Sequence, residues 1–380
     1  MPDTTVAIIG AGSGGVYLAA ELGGLGCRLR LTDLDDNRLA EIRARGGLDV
    51  ETASPREAVV AALRPRQGGF VPIEHVTTDL AAAIDGAAVI AVCTGGTYQE
   101  SVAVALAPLL CDGQTILLIQ GNTGGSLVVR RALDAAGCRA AVDIAEMDNY
   151  PYSCWRPTPT TIRPIVRKKF LQIAAFPGNR MAPVFAILGP LFPHAVAAPT
   201  VISTGFTNAN AMLHVANCVA NAGKIDRGES YKFYAEGVTA SVARLYTAIN
   251  AERVAAAAAL GAQVPGLEEW FERTYGVRGA TLSETCQLLT TKSDGPYQAT
   301  GTPRSWDHKY IAEDVPVGLM PMLALGQAAG VRMPRITAVI ELARTLAGDD
   351  FAEAARTLQR MGLAGMDGAE IRRVVMEGFR

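Results

Sequence analysis

Residues 6–20 read Val-Ala-Ile-Ile-Gly-Ala-Gly-Ser-Gly-Gly-Val-Tyr-Leu-Ala-Ala, and this stretch decides the fold. A short apolar run leads into a glycine-rich turn and then into an apolar helical pattern, which predicts a strand, a tight turn and a helix. We expect Gly10 to make the turn, Gly12 to let another molecule approach the backbone, and Gly15 to let helix and strand pack closely. Such a unit typically opens a parallel α/β sheet.

The first half of the chain repeats this alternation of short apolar runs and helical patterns. The runs lie at Val6–Ile9, Leu29–Thr32, Val89–Cys93, Ile116–Ile119 and Ala141–Ile144. Alternation of this kind predicts a parallel sheet with crossover helices. After about Thr200 helical patterns replace the strand-like runs. We therefore predict an α/β protein with an N-terminal Rossmann-type domain over 1–198 and an all-helical C-terminal domain over 199–380.

Two helices of the second half can be predicted from their patterns. From Glu236 to Leu260 apolar residues recur at spacings of three and four, and Gly261 follows where a helix end favours a left-handed residue. Asp367 and Glu370 have the spacing of a capping box, which predicts a last short helix there. Both patterns support a helical second domain.

Composition narrows the range of partners and compartments. The chain is 49% hydrophobic and 19% charged with a formal net charge of −2, so it has no overall field that attracts nucleic acid or a membrane surface. It lacks a signal-peptide pattern and an apolar stretch of the roughly 20 residues that a membrane helix needs. Its seven cysteines form no CxxC pair, which argues against a disulfide framework and a zinc site. We expect a cytoplasmic protein with small-molecule partners and without a bound metal; a homodimer stays open.

The glycine turn also indicates what the first domain binds. A helix N-terminus behind such a turn favours an anion such as a pyrophosphate, and Asp33 stands where a carboxylate can accept hydrogen bonds from a ribose 2′-hydroxyl. The predicted cofactor contacts are Gly10, Gly12, Ser13, Gly14, Gly15 and Asp33. Asp33, Asp35 and Asp36 would repel a 2′-phosphate and favour NAD, while Arg38 leaves NADP open. The alternative is a turn that binds nothing.

Two further turns follow strand-like runs, at residues 94–97 and 121–126. Ligands of open α/β sheets bind beyond the carboxyl ends of the strands. We expect Thr94 and Gly95 to contribute to the cofactor site, and Thr123 to the substrate site. Ordinary loops are the alternative for each of these residues.

His214 is the histidine with the most informative surroundings in sequence. A carbonyl or imine carbon that accepts hydride passes negative charge to its heteroatom, and histidine is a suitable proton donor there near neutral pH. Asn210 and His214 are four residues apart and share a helix face, with Asn208 just before them. Asp314 precedes a helix-like run and can either orient His214 or cap that helix. A hydrogen-bonded core histidine explains the first pattern equally well.

Several segments, taken in order, resemble the octopine/nopaline (opine) dehydrogenase family. Beyond the glycine turn, these are residues 145–154, 208–226, 233–237 and 310–319. The resemblance implies a Rossmann domain followed by a helical domain, with the substrate held between them. It also implies an NAD(P)H-dependent reductive condensation of an amino acid with a 2-oxo acid, which yields a secondary-amine dicarboxylate.

The same resemblance implies roles for individual residues. His214 and Asp314 match the catalytic pair of the family. Together with the patterns above, this gives Asn208, Asn210, Lys309, Thr123 and Cys154 as the predicted substrate contacts. Lys309 stands where the family carries an arginine for the 2-oxo acid carboxylate, and a lysine offers a point charge rather than a bidentate fork.

Two other functions stay open from the sequence. A ketopantoate-reductase-like or 3-hydroxyacid-dehydrogenase-like enzyme also joins a Rossmann domain to a helical one, but such enzymes usually carry a lysine in the catalytic helix. In this chain, residues 200–213 contain no lysine before His214. A non-catalytic NAD(H) sensor is the third possibility; it would keep the glycine turn and gain nothing from His214.

Overall fold

Strands and helices alternate in the first part of the chain and helices alone follow, in a computed structural model that describes residues 4–51, 69–291, 297 and 302–379. The strands are β1 (Thr5–Ile9), β2 (Arg28–Thr32), β3 (Gly47–Val50), β4 (Gly69–Pro72), β5 (His75–Thr77), β6 (Val89–Val92), β7 (Thr115–Leu118), β8 (Asp143–Met147), β9 (Tyr152–Thr158), β10 (Thr161–Arg167), β11 (Leu171–Phe176) and β12 (Ala195–Ala197). The helices of the first part are α1 (Ser13–Gly24), α2 (Asp36–Arg45), α3 (Leu80–Ile84), α4 (Gln99–Leu106), α5 (Gly125–Ala135) and α6 (Met181–Leu188).

The later helices begin shortly after β12. They are α7 (Val201–Thr207), α8 (Asn210–Ala220), α9 (Ala222–Asp226), α10 (Ala240–Ala259), α11 (Leu267–Tyr275), α12 (Leu282–Thr291), α13 (Lys309–Ala312), α14 (Met320–Ala328), α15 (Pro334–Ala347) and α16 (Gly368–Glu377). A π-helical turn, Val315–Leu319, joins α13 to α14. Within the described residues, no helix is both long enough and apolar enough to span a bilayer.

The chain forms two compact units. Unit 1 comprises Met1–Gln120, Val129–Ala175 and Arg180–Ala197, and unit 2 comprises Gly121–Val128, Phe176–Asn179 and Ala198–Arg380. The assignment of 1–198 to dinucleotide binding and of 199–380 to substrate binding and catalysis stays a prediction.

The main sheet of unit 1 has the strand order β12-β11-β8-β7-β6-β1-β2-β5. The register pairs Ile9 of β1 with Thr32 of β2 and with Val92 of β6, and both pairings are parallel. The three strands therefore end at the same edge of the sheet. This alignment brings together the turns that follow them, as the parallel-sheet prediction requires, and the predicted α/β class is confirmed.

Residues 6–9 of strand β1 are all apolar because both faces of the strand are buried. Val6 and Ile8 pack into a core on one face of the sheet, and Ala7 and Ile9 pack into a core on the other. A strand covered on both faces has no solvent side to mark with polar residues. The sheet edge that carries the glycine turn thus rests on a wholly buried strand.

A second sheet, with the order β4-β3-β10-β9, was not predicted. Strand β3 pairs antiparallel with β4 and parallel with β10, while β9 and β10 form an antiparallel hairpin. Most residues of β9 are only half-buried or exposed. Because polar and charged residues occupy this strand, it shows neither an apolar run nor a clear alternation. Hydrophobic periodicity therefore did not predict β9 as a strand.

Helix α10 starts later than the sequence pattern suggested. The apolar periodicity extends back to Glu236, but the helix begins at Ala240, because the side chain of Thr239 accepts a hydrogen bond from the Val242 amide and caps it. Gly261 has a φ of +80°, the predicted left-handed residue after the helix end. The capping box of the last helix, with Asp367 as its N-cap, is present as predicted.

Candidate active site

The glycine turn of unit 1 requires glycine at two positions, one because of its positive φ and the other because a Cβ atom would clash with the backbone. Gly10 has a φ of +107°, and a Cβ atom at Gly15 would lie 1.9 Å from the Gly10 carbonyl oxygen. At Gly12, in contrast, an added Cβ would meet nothing within 4 Å. Space is therefore left open beside the first residues of α1, where backbone N–H groups favour an anion.

The backbone amide and carbonyl of Ala11 both make hydrogen bonds to side chains. The Ala11 amide donates a hydrogen bond of 2.7 Å to Asp33 Oδ2, and the Ala11 carbonyl accepts one of 2.8 Å from Arg156 Nη1. Asp33 Oδ1 also accepts a bond of 3.0 Å from the Asp35 amide. The predicted ribose-binding carboxylate therefore lies directly against the glycine turn. Arg38 Nη1 lies 3.8 Å from Asp33 Oδ2, so positive charge is also present here.

The turn after β6 and the start of β9 complete the surroundings of the glycine turn. In the part of the chain that the structure describes, the Thr94 hydroxyl is buried and has no hydrogen-bond partner. Tyr150 packs on Gly14, where an added Cβ would lie 2.6 Å from the ring. Cys154 Sγ lies 3.6 Å from the Ser13 carbonyl. Cys154 thus borders the predicted cofactor turn, and its role in substrate binding stays a prediction.

These features fit a dinucleotide. A buried hydroxyl without a partner, open space at Gly12 and a helix N-terminus offer the contacts that a pyrophosphate and its ribose would satisfy. Gly95 follows Thr94 and precedes a short 3-10 turn, so its amide also lies at the carboxyl edge of the sheet. The predicted cofactor residues are therefore gathered at one sheet edge of unit 1.

His214 and Asp314 meet in unit 2. His214 Nδ1 lies 2.7 Å from Asp314 Oδ2, and the two side chains are only 12% and 10% exposed. Asp314 is the N-cap residue of the turn that follows it, but its side chain makes no capping hydrogen bond there. His214 Nε2 lies 3.2 Å from the Tyr234 hydroxyl. Both ring nitrogens of His214 therefore have a polar partner.

Aromatic rings fix the plane of the His214 imidazole. Tyr310 stacks on it at 3.8 Å between ring centroids and an angle of 18°, and Phe233 meets its edge at 5.9 Å. Burial raises the pKa values of the Tyr234 and Tyr310 hydroxyls, so both stay protonated at neutral pH. Both tyrosines lie within the family-like segments 233–237 and 310–319, and no role was predicted for either from the sequence.

The predicted asparagines form a hydrogen-bonded chain at the start of α8. Asn208 Oδ1 accepts a bond of 3.0 Å from the Asn210 amide, which shapes the turn before the helix. Asn208 Nδ2 lies 3.4 Å from Asn122 Oδ1, and Asn122 Nδ2 donates a bond of 3.3 Å to Glu313 Oε1. The structure thus links the Asn208 turn to the residue that precedes Asp314.

Two buried arginines, which were not predicted from the sequence, donate hydrogen bonds to backbone carbonyls near these residues. Arg356 donates to the carbonyl oxygens of Gly121 and Thr123 at 2.7 and 3.2 Å. Arg253 donates to the Phe206 carbonyl at the end of α7, and burial lowers its pKa to about 10, which leaves it charged at neutral pH. Nothing in the sequence pattern distinguishes them from surface arginines, because the carbonyls of Gly121, Thr123 and Phe206 that they bind are distant from them in sequence.

Lys309 does not contact the His214 ring in the described part of the chain. It is exposed at the start of α13, and the described partners of the His214 ring nitrogens are Asp314 and Tyr234. The predicted contact of Lys309 with a carboxylate stays a prediction.

The other three histidines have different surroundings. His75 is exposed on β5, and His308 caps α13 by accepting a bond from the Tyr310 amide. His194 is partly buried, and burial lowers its pKa to about 3. Of the four histidines, His214 is the one paired with a buried carboxylate.

Comparison with known proteins connects both units to one family. The family model described as NAD/NADP octopine/nopaline dehydrogenase, alpha-helical domain, matches residues 197–347. The chain is 32% identical to the opine dehydrogenase of Arthrobacter sp. (strain 1C), over 98% of each chain.

Solved structures show the same fold. Octopine dehydrogenase with NADH and L-arginine superimposes with a TM-score of 0.78 at 19% identity, over 99% of both chains. Yersinopine dehydrogenase with bound NADP+ superimposes with a TM-score of 0.69 at 16% identity, over 99% of this chain and 98% of that chain. The 32% identity over 98% of the chain shows that the chain belongs to the octopine/nopaline (opine) dehydrogenase family of NAD(P)-dependent oxidoreductases acting on CH–NH bonds.

Proposed function

We propose that this enzyme joins the amine of an amino acid to the carbonyl carbon of a 2-oxo acid, with His214 as the acid and base and Asp314 as the residue that orients it. The main support for this proposal is the 2.7 Å contact between His214 Nδ1 and Asp314 Oδ2, whose side chains are nearly buried. The amine and the oxo acid condense with loss of water, and the imine carbon accepts a hydride. The product is a secondary-amine dicarboxylate.

The proton steps belong to His214. An amino acid enters mostly as an ammonium, which must lose a proton before its nitrogen can attack the carbonyl carbon, and the imidazole accepts that proton. The hydroxyl of the resulting carbinolamine leaves as water after it receives a proton, which His214 can return. Asp314 accepts a hydrogen bond from Nδ1–H and stabilises the protonated ring. One histidine therefore serves both proton transfers.

Substrate contacts are assigned to the polar residues near this pair. Asn208 and Asn210 stand at the start of the helix that carries His214, and Thr123 lies on the segment that Arg356 holds. Lys309 supplies the positive charge for a carboxylate. Octopine dehydrogenase has been solved with L-arginine and, separately, with pyruvate, which supports an amino acid and a 2-oxo acid as the two substrate classes.

The glycine turn and Asp33 would hold the dinucleotide. NAD is the preferred cofactor because Asp33, Asp35 and Asp36 are acidic, and NADP stays possible because Arg38 lies beside Asp33. The bound nicotinamide supplies the hydride. A cytoplasmic location and a homodimeric assembly stay predictions.

The experiment is a matrix of amino acids and 2-oxo acids with NADH or NADPH, followed by cofactor absorbance and product mass. We expect cofactor oxidation only when both substrates are present, with a product mass equal to their sum minus one oxygen. Oxidation with the oxo acid alone would refute the proposal in favour of simple carbonyl reduction. Cofactor binding without oxidation across the matrix would favour a sensor.

Paired variants test the assignment of His214. His214→Gln should abolish most of the turnover and leave cofactor binding intact, because the dinucleotide residues lie in unit 1. His75→Gln changes an exposed histidine on β5 and should leave both properties unchanged. If the two variants turn over equally fast, His214 is not the acid and base.

A further inference from the structure

Tyr234 is a buried tyrosine whose hydroxyl faces the second ring nitrogen of His214. The hydroxyl lies 3.2 Å from Nε2, on the opposite side of the ring from Asp314, and only 3% of Tyr234 is exposed. Its ring packs edge-on against Phe233 and lies 5.0 Å from the ring of Tyr297. The hydroxyl is therefore fixed by packing rather than free to follow the imidazole.

The direction of the two hydrogen bonds follows from the chemistry of the partners. An ionised carboxylate only accepts, so the 2.7 Å contact with Asp314 requires the proton on Nδ1. Nε2 of the neutral ring then carries a lone pair, and a protonated hydroxyl can donate to it. Burial raises the pKa of Tyr234 well above its ordinary value, so this hydroxyl keeps its proton at neutral pH.

We infer that Tyr234 is a positioning residue that holds the neutral His214 ring as the Nδ1–H tautomer. Because Nε2 of this tautomer has a single lone pair, the Tyr234 hydroxyl turns its hydrogen away when Nε2 accepts a proton. This inference deepens the proposed function and rests on it. A hydroxyl can donate to the neutral ring and can accept from the protonated ring, since it carries one hydrogen and two lone pairs. The same contact thus steadies Nε2 before and after His214 takes up a proton.

The Tyr234 hydroxyl, unlike the neighbouring aromatic rings, makes a contact that depends on whether Nε2 carries a proton. Tyr310 stacks on the face of the imidazole and Phe233 meets its edge, and both restrict how the ring tilts. Neither contact distinguishes Nε2 with a proton from Nε2 without one. Among the described contacts of the ring, Asp314 and Tyr234 are the ones that depend on the protonation of a nitrogen.

The test compares Tyr234→Phe with Tyr246→Phe. Tyr246 is also buried, and its hydroxyl donates a bond of 2.7 Å to the Leu213 carbonyl rather than to the imidazole. Each change removes one hydroxyl from a buried ring of unit 2. The readouts are kcat and KM for both substrates and the cofactor, and the side-chain ¹⁵N spectrum of the histidines, in which His214 is assigned by its loss in His214→Gln.

We expect Tyr234→Phe to lower kcat by about two- to tenfold, the worth of one neutral hydrogen bond, with KM for NADH unchanged. The Nε2 resonance of His214 should move downfield, because a pyridine-type nitrogen loses its hydrogen-bond donor. Tyr246→Phe should lower thermal stability without moving that resonance. An unmoved Nε2 resonance overturns the inference, and so does a loss of kcat no larger than in the control.

The unsubstituted protein provides a second measurement if Tyr234→Phe does not fold. Its ¹⁵N spectrum should show the His214 proton on Nδ1, and a proton on Nε2 of the neutral ring overturns the inference. The proposed function fails separately: without condensation in the substrate matrix there is no kcat to compare, while the tautomer of His214 can still be measured.

Discussion

Replacing Asp314 by asparagine tests the arrangement around His214 most directly. The side chain keeps its size, but the carboxylate that accepts from Nδ1 at 2.7 Å loses its charge. A hydrogen bond to a charged group contributes about 1.5–3 kcal/mol, which corresponds to a fall in kcat of about 10- to 150-fold. If the asparagine turns its NH2 group toward Nδ1, the imidazole must adopt the opposite tautomer. The loss then approaches the ~10⁴-fold drop that the same exchange causes in a Ser-His-Asp triad.

The assay is the rate of NADH oxidation with both substrates at saturation, together with the KM for NADH. Glu252→Gln is the matched control, because Glu252 is also a buried carboxylate of unit 2 and bonds the Arg335 and Ile336 amides at the start of α15. We expect that control to lose stability but to keep its kcat. A value of kcat for Asp314→Asn within twofold of the unsubstituted enzyme, in a folded protein, would refute the reasoning.

Two further changes probe unit 1. Arg156→Gln removes the 2.8 Å bond to the Ala11 carbonyl and should raise KM for NADH by about two- to tenfold without changing kcat, as measured by cofactor titration; a lower kcat at unchanged KM would contradict this. Glu21→Gln tests a carboxyl whose pKa burial raises from 4.5 to about 8. Because the folded state then holds its proton more tightly, stability should fall as pH rises between these values, by up to about 5 kcal/mol, and the variant should lose that part of the pH dependence. Urea unfolding across this range measures it, and identical pH profiles would exclude the effect.

The sequence was sufficient for the glycine turn because its requirements are local. Gly10 needs a positive φ, and Gly15 lies where a Cβ atom would strike the Gly10 carbonyl oxygen. Both demands lie within a few residues and leave a recognisable pattern of glycines. Asp33 could be found for a related reason, since it directly follows strand β2, whose last residue is Thr32.

The pairing of His214 with Asp314 could not be derived from local pattern. The two residues are 100 positions apart, and helix periodicity says nothing about such a contact. Only the resemblance to a family suggested it. Tyr234 was missed for another reason: an aromatic residue in an apolar segment is read as core, and its hydroxyl becomes informative only once its distance to Nε2 is known.

The pairing of β3 with β10 in the second sheet has a consequence for folding. Strand β3 pairs with β10, through Asp49 with Thr161 and Val50 with Ile162, although half of the strands of the main sheet lie between them in sequence. Contacts so distant in sequence close large loops and form slowly. Arg156 and Cys154, which touch the glycine turn, belong to the hairpin partner of β10. The glycine turn is therefore synthesised well before β9, and its surroundings are complete only once β9 has paired. Ligand binding can stabilise the complete form of this part of the protein only after that step.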